Sequence, residues 1–153
     1  MRRKDKEIVD KKEIEDIINK AQVCRLGLSE NDMPYVVPMN FGYKDQCLYL
    51  HSASSGKKIE ILKNNNNVCF EIDIDTQLVK SERPCDYSMK YLSVIGFGKA
   101  IFLDEKQERK RALHIIVGHY IETAPYEYDE KLLDKLTIIK IEINQMFGKN
   151  SAY

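Results

Sequence analysis

The sequence predicts an α+β fold, mainly β, in which an antiparallel barrel or sheet is flanked by two main helices. The strand-like segments follow one another closely and do not alternate one for one with helices, which argues against a parallel doubly wound fold. The connections between these segments are short, as they are between antiparallel neighbours. One long strand candidate contains Gly96 and Gly98, and glycines inside a strand supply the kinks that a curved barrel needs.

Two amphipathic segments predict the main helices, and a third segment predicts a shorter one. Asp10 and Glu13 form a start signal close to a capping box, and apolar residues then recur at helical spacing. Asp104 and Gln107 open the second helix. The shorter helix follows position 55, with Ser54 or Ser55 as its cap. The three apolar faces consist of Ile14, Ile17, Ile18 and Ala21; of Ala112, Leu113, Ile116, Val117 and Tyr120; and of Ile59 and Leu62.

Five or six strands complete the predicted fold. They cover residues 23–28, 34–43, 47–51, 68–74, 90–103 and 136–143. The four asparagines at 64–67 end the short helix, because asparagine favours turns over helical backbone. The stretch 75–88 has no clear period and contains Pro84, so we expect a loop there.

The composition indicates one domain over residues 1–153, with 1–9 as a flexible tail. Of the 153 residues 43% are hydrophobic, which is enough for a single core. The 24 basic and 24 acidic side chains cancel, so we expect neither nucleic acid nor membrane as a partner. No apolar run approaches the ~20 residues that cross a bilayer, and the charged first twenty residues do not resemble a secretory signal. A cytoplasmic protein is the simplest interpretation.

The spacing of cysteines and histidines predicts no metal site. The four cysteines form no C-x-x-C pair, whereas a zinc site needs closely spaced ligands. Free thiols fit a reducing compartment. His114 and His119 lie five residues apart on the second helix, which is poor spacing for sharing a metal, so we expect a surface or interface role for them. The cysteines are Cys24, Cys47, Cys69 and Cys85.

The segment 49–58 carries the strongest sign of a binding site. A strand ends at His51, small hydroxyl residues follow, and a helix begins near Gly56. A helix N-terminus exposes unpaired N–H groups and a partial positive charge, so with Lys57 and Lys58 beside it the segment predicts a phosphate receptor. It is not a Walker A loop, because His51 stands where the first glycine belongs and Lys58 where Ser or Thr belongs. Taken alone, the same residues also fit a capped surface helix with two solvated lysines.

Two further segments contain polar groups suited to a planar ligand. Pro34 and Pro38 within one strand imply an edge or an irregular backbone, and such an edge leaves N–H and C=O groups free. Ser93 is the one small polar residue in the apolar run before Gly96. Each feature by itself also fits an ordinary sheet, as an edge strand or as a tolerated hydroxyl.

Taken together and in this order, the segments resemble the pyridoxamine 5′-phosphate oxidase-like family of FMN-binding split barrels, and most of all its nitroimidazole-resistance branch. The similarity covers nearly the whole chain after the first helix. Each motif is loose, but six in the right order are specific. The matching motifs are RLGL at 25–28, PYVVPMNF at 34–41, YLHSA at 49–53, GKK at 56–58, YLSVIGFGKA at 91–100 and FGK at 147–149.

The resemblance implies an antiparallel split β-barrel that forms a homodimer and binds flavin mononucleotide (FMN) in a cleft between the subunits. In such proteins the strand 38–41 lies along the isoalloxazine ring, and His51, Ser52 and Lys57 hold the ribityl phosphate. Ser93 matches a polar position that contacts the flavin. The cofactor-binding residues that we expect are Pro38, Met39, Asn40, Phe41, Leu50, His51, Ser52, Ser55, Lys57, Lys58 and Ser93.

His51 is also the candidate catalytic residue. It ends a strand directly before the phosphate segment, so we expect its side chain to point into the cofactor cleft. Histidine can donate or accept a proton near neutral pH, and the reduction of a nitro group consumes protons. The branch that the sequence resembles also has histidine here. The alternative is that His51 only hydrogen-bonds the cofactor or a backbone carbonyl.

The chain departs from the true pyridoxamine phosphate oxidases in two respects. Gly56 replaces the arginine of their Arg-Lys pair, so Lys58 is the candidate for the second charge. Their C-terminal substrate signature, rich in Trp and Arg, is absent, and the chain contains no Trp at all. Authentic pyridoxamine 5′-phosphate oxidase activity is therefore not expected.

Three functions remain open from the sequence. The first is an FMN-dependent oxidoreductase that acts on a small organic molecule, for example a nitroimidazole-type nitro compound. The second is a flavin-binding or carrier module without turnover. The third is a haem-handling protein on the same barrel, for which His51, His114 and His119 are the ligand candidates.

Overall fold

The computed structural model describes residues 3–121, 128 and 130–151 of the chain. The helices are α1 (Lys11–Lys20), α2 (Lys57–Asn64), α3 (Lys106–Tyr120) and α4 (Glu130–Leu133). The strands are β1 (Glu7–Ile8), β2 (Cys24–Glu30), β3 (Met33–Met39), β4 (Phe41–Lys44), β5 (Cys47–Ala53), β6 (Asn67–Val79), β7 (Ser88–Leu103) and β8 (Leu136–Ser151). The predicted mainly β, α+β class with two main helices, α1 and α3, is confirmed, whereas the described strands number eight and not five or six.

The single antiparallel sheet curls into a split barrel because its two ends are consecutive in the chain. The hydrogen-bonded order is β3-β2-β6-β7-β8-β5-β4, with β1 added beside β8. β3 and β4 lie at opposite ends of this order, yet only Asn40 separates them in sequence. The predicted single strand 34–43 is therefore wrong, since the chain changes its partner from β2 to β5 at Asn40. We call this junction the β3–β4 seam.

The main core fills the barrel, and a smaller core lies outside it under α3. Alternate residues of each strand point inward, and α1 closes the barrel with the predicted stripe of isoleucines. α3 packs directly on the backbone of β4, because a Cβ on Gly42 would lie 2.5 Å from the Ile115 carbonyl oxygen. The smaller core consists of Ala112, Leu113, Ile116, Leu133 and Ile138.

Three predicted boundaries differ from those in the structure, because pairing with a neighbouring strand lengthens the ordered segment. The expected tail 1–9 is wrong at Ile8, which is buried and pairs with Gly148 of β8. The expected loop 75–88 is wrong in its first part, since β6 shifts register between Ile74 and Gln77 and then continues along β7. The last strand also runs eight residues beyond its predicted end and pairs with β7 up to Ser151.

The helix starts confirm one predicted cap and correct two. The Asp10 carboxylate accepts a hydrogen bond from the backbone N–H of Lys12 at 3.0 Å, as its position predicted. At α3 the cap is Glu105 and not Asp104, because the Glu105 side chain accepts bonds from two backbone N–H groups. At α2 neither Ser54 nor Ser55 is the cap: Gly56 occupies that position, and no side chain caps the helix.

The structure also shows the state of the thiols and bears on metal binding and membrane insertion. All four thiols are free, and three of them lie on strands β2, β5 and β6, as predicted. Burial raises the pKa of the Cys24 thiol to about 12, which makes this group unreactive at neutral pH. Among the described residues, no three His, Cys, Asp or Glu side chains come together as a metal site. No helix in the described ranges is long and apolar enough to span a membrane.

Candidate functional site

The end of β5 buries two polar atoms that lack partners. Ser52 is only 6% exposed, and His51 is half-buried on the opposite side of the strand. Within the part of the chain that the structure describes, neither His51 Nδ1 nor Ser52 Oγ has a hydrogen-bond partner. An unsatisfied buried polar group costs about 1–3 kcal/mol, so two of them on consecutive residues indicate a polar ligand at the end of β5.

The start of α2 offers donors and positive charge next to these atoms. Gly56 has a φ of 118°, in the region that favours glycine, and this conformation turns the chain from β5 into the helix. The N–H groups of Ile59 and Glu60 both donate to the Gly56 carbonyl at 2.9 and 3.2 Å. The N–H groups of the first helical residues, Lys57 and Lys58, are those that an uncapped helix leaves for an outside acceptor.

The two lysines link α2 to the rest of the predicted site. The exposed Lys57 extends over β3, where its Nζ lies 4.9 Å from the centre of the Tyr35 ring. Lys58 is half-buried near His51, whose pKa is lowered first by burial and then by the Lys58 charge. Both effects favour the neutral imidazole. The sequence did not single out Tyr35, because nothing local indicates that β3 and α2 meet.

The β3–β4 seam lies beside the end of β5. Phe41, the first residue of β4, pairs with Leu50, the residue that precedes His51, and Asn40 comes directly before Phe41. Pro38 and Asn40 are exposed, but the side chains of Met39, Phe41 and Leu50 are buried in the main core. The predicted contacts of these three residues with a ligand can therefore involve only their backbone groups.

Ser93 lies far from His51 along β8. Ser93 of β7 pairs with Lys149 of β8, and His51 of β5 pairs with Ile138 of the same strand. These two partners lie eleven positions apart, which is roughly 35 Å along an extended strand. Ser93 is also only 7% exposed. Ser55, in contrast, is exposed in the turn that precedes α2.

An apolar patch covers the outer face of the sheet. Val36, Cys69 and Phe97 follow one another across β3, β6 and β7 in one row of paired residues, with Gly27 of β2 between the first two. Ile95 lies in the adjacent row. Val36, Ile95 and Phe97 are 63%, 42% and 45% exposed. We call Val36, Cys69, Ile95 and Phe97 the outer patch.

Charged side chains border the outer patch. Arg25 Nη1 lies 3.0 Å from Glu71 Oε2 and also pairs with Asp73. Burial and the neighbouring Asp73 raise the pKa of Glu71. An apolar centre beside a paired polar rim is the usual composition of a protein interface.

A concavity of about 970 Å³ lies between α3 and the outer side of β5, β7 and β8. Tyr49, Leu103 and Arg111 line it, as does the exposed His114. None of the predicted cofactor-binding residues lines this concavity, so it is distinct from the candidate site. His119, the other helical histidine, has its Nε2 2.6 Å from the Ala21 carbonyl oxygen.

One protein family and one solved structure of high similarity match the chain. The sequence profile described as pyridoxamine 5′-phosphate oxidase matches residues 10–150. The solved structure of a candidate 5-nitroimidazole antibiotic resistance protein from Bacteroides thetaiotaomicron is 40% identical. That alignment has a TM-score of 0.84 and covers 94% of this chain and 85% of that one. No curated protein matches the chain.

Two more distant structures share the fold. An FAD- and haem-binding protein from Mycobacterium smegmatis is 16% identical with a TM-score of 0.84, and the alignment covers 97% of this chain and 74% of that one. An FAD-binding protein from Mesorhizobium loti is 24% identical with a TM-score of 0.68, over 94% of this chain and 96% of that one. At these identities the similarity establishes the architecture alone.

Proposed function

The chain belongs to the pyridoxamine 5′-phosphate oxidase family, as its motifs predicted, and from this premise we propose that it binds FMN and transfers electrons to a small organic molecule. The observation that carries the proposal is the pair of unpartnered buried atoms, His51 Nδ1 and Ser52 Oγ, beside the uncapped start of α2. A ligand with a terminal phosphate satisfies such a site, because it brings several acceptor oxygens and negative charge to donors and lysines.

The residues present fit a flavin that carries one terminal phosphate. The backbone N–H groups at Lys57 and Lys58 and the two side-chain ammonium groups suit the phosphate. The exposed residues Pro38 and Asn40 suit the edge of the ring, which presents both donors and acceptors. Phe41 pairs with Leu50, the residue before His51, and this pairing brings the two halves of the site together. The FAD-binding relatives make FAD the natural competitor in a binding test.

Flavin binding is tested with the purified protein. Its absorption spectrum and a fluorescence titration with FMN, FAD and riboflavin measure which flavin it prefers. We expect a yellow protein, or a colourless one that quenches added FMN more strongly than the other two. A protein that ignores excess FMN would contradict the proposal. A Soret band in place of the flavin spectrum would favour the haem alternative.

The side chains of the site have separate roles in this proposal. A bound flavin supplies the electron-transfer chemistry. Lys57 and Lys58 balance the phosphate charge and hold the ligand in place. His51 offers a hydrogen bond at Nδ1 while it is neutral, and it can deliver a proton only after it has become an imidazolium. Because its pKa is lowered, that form increases only as the pH falls below the ordinary value of 6.5.

We propose a nitro compound as the electron acceptor. The support is the name of the Bacteroides relative, together with 40% identity over 94% of this chain. The test is anaerobic reduction of the bound flavin by a nicotinamide cofactor, followed by mixing with a 5-nitroimidazole. Flavin reoxidation with consumption of the nitro group indicates an enzyme. A flavin that stays reduced would indicate a carrier or binding module.

We also propose that two copies of the chain pair through the outer patch. Exposed apolar residues that form a row across four strands are costly in water and are commonly covered by a symmetric partner. Ser93 gives a second reason for a dimer. Because Ser93 and His51 lie far apart along β8, a flavin bound at His51 would reach only the Ser93 of a second copy of the chain. Light scattering at micromolar concentration measures the oligomeric state.

A further inference from the structure

The end of α3 is tied to the β3–β4 seam by hydrogen bonds that the proposed flavin site does not itself supply. The Tyr120 hydroxyl accepts a hydrogen bond from the Phe41 backbone N–H at 2.9 Å. The same hydroxyl donates to the Gln22 backbone carbonyl at 2.9 Å. One oxygen atom thus joins the segment after α1 to the first residue of β4.

His119 reinforces this connection from the adjacent position. Its ring lies against the Phe41 ring with 4.4 Å between centroids and an interplanar angle of 46°. Its Nε2 is 2.6 Å from the Ala21 carbonyl oxygen. The last two residues of α3 therefore hold the C-terminal end of α1 and the first residue of β4 at the same time.

The seam needs such a connection because the sheet does not provide one. β3 pairs with β2 and β4 pairs with β5, and in the described sheet order these strands lie at opposite ends. The position of Asn40 between them is not held by a ladder of backbone bonds from β3 to β4. The hydrogen bond from the Phe41 N–H to the Tyr120 hydroxyl takes the place of that ladder at one point, directly after Asn40.

We infer that Tyr120 is a positioning residue that holds the Asn40–Phe41 backbone in the orientation that the flavin ring contacts. This inference rests on the proposed function, and it assigns to α3 a part in seating the ring that no sequence motif indicated. Tyr120 lies on the protein side of the seam, bonded to backbone, so it acts through Asn40 and Phe41. Its replacement should therefore weaken the binding of a flavin equally with and without the phosphate.

Tyr120→Phe removes the hydroxyl and keeps the ring. We expect the dissociation constants for FMN and riboflavin to rise by the same factor, about tenfold, which is equivalent to about 1.4 kcal/mol. The absorption bands of the bound flavin should also shift, because the hydrogen bonds to the ring change. Fluorescence titration and difference spectra measure both effects.

Two control variants separate positioning from general destabilisation. Tyr87→Phe makes the same chemical change at an exposed tyrosine between β6 and β7, away from the seam. Ile72→Val removes one methyl group from a fully buried side chain on β6 and lowers the melting temperature without removing a hydrogen bond of the seam. Both variants should bind the two flavins as the wild type does.

The possible outcomes distinguish this inference from the proposed function. If Tyr120→Phe binds both flavins with wild-type affinity, or weakens FMN alone, the positioning role is refuted while flavin binding stands. If the wild type binds no flavin, the proposed function fails and the inference fails with it. If Tyr120→Phe does not fold, His119→Gln takes its place. That variant keeps a donor for the Ala21 carbonyl but removes the ring from Phe41, and the same equal loss for both flavins is required.

Discussion

Replacing Lys57 by alanine tests the phosphate site most directly. Lys57 is exposed, lies in the first turn of α2 and extends towards Tyr35 on β3. Among the described residues, its ammonium group has no buried partner that its removal would leave unpaired. The variant should therefore fold normally, and any loss of binding should report the missing charge and its hydrogen bond.

The expected magnitude follows from the exposure of the side chain. A hydrogen bond to a charged group contributes about 1.5–3 kcal/mol, and solvent exposure favours the lower limit for Lys57. The FMN dissociation constant should then rise about tenfold. Lys58 is half-buried and close to His51, so the double replacement of Lys57 and Lys58 should cost more, about 100-fold or above. Riboflavin lacks the phosphate and should lose less than about twofold in each case.

The assay compares FMN and riboflavin by fluorescence titration at two salt concentrations. Lys63→Ala is the matched control, because this lysine lies in the last turn of the same helix and its removal makes the same change in net charge. The FMN affinity of the wild type should fall with added salt more steeply than that of the Lys57 variant. Equal losses for FMN and riboflavin, or an equal effect of Lys63→Ala, would refute a phosphate contact at Lys57.

Further predictions concern the dimer, the proton donor and the packing of α3. Phe97→Asp should yield monomers in light scattering, since a carboxylate would be buried unpaired at the outer patch, and a monomeric wild type would contradict the proposal. His51→Gln should keep FMN bound but slow flavin reoxidation by a nitroimidazole. The wild-type rate should rise as the pH falls below 6.5, and rates that match the variant from about pH 5 to 8 would leave His51 a structural contact. Burial and Lys58 lower the His51 pKa in the folded state, so protonation of His51 favours unfolding. The free energy of unfolding should therefore keep its full value above pH 6.5 and decrease as the pH falls through the lowered pKa. Lys58→Ala should raise that pKa in an NMR titration, and an unchanged value would show that the two charges do not interact. Gly42→Ala should destabilise the fold by about 1–3 kcal/mol, because its Cβ would lie 2.5 Å from a backbone oxygen of α3. An unchanged melting temperature would refute that close approach.

Sequence patterns predicted the parts of the molecule that depend on neighbours in the chain. The start and the buried stripe of α1 follow from Asp10 and three isoleucines, which lie within one short helix. The candidate phosphate segment was equally accessible, because His51, Ser52 and the lysines of α2 are nearly contiguous. The order of the motifs along the chain identified the family and the split barrel before any distance was known.

The same local reasoning failed where a distant strand supplies the hydrogen bonds. Residues 75–79 lack an apolar period, yet they form a strand because β7 offers a paired edge. Ile8 belongs to the sheet because β8 extends far enough to pair with it. A local pattern reports the preferences of a segment, but the free energy that orders a weak segment comes from its partner.

The barrel seam and the residues around it were decided by the tertiary structure alone. β3 and β4 are consecutive in sequence but belong to opposite edges of the sheet, and only closure of the barrel brings those edges together. Closure then sets Lys57 over Tyr35 and brings Tyr120 to Phe41, 79 residues away. The sequence by itself determined which chemical groups the candidate site contains, because they are mostly local. How these groups face one another depends on hydrogen bonds between distant segments, and those form only when the sheet has closed.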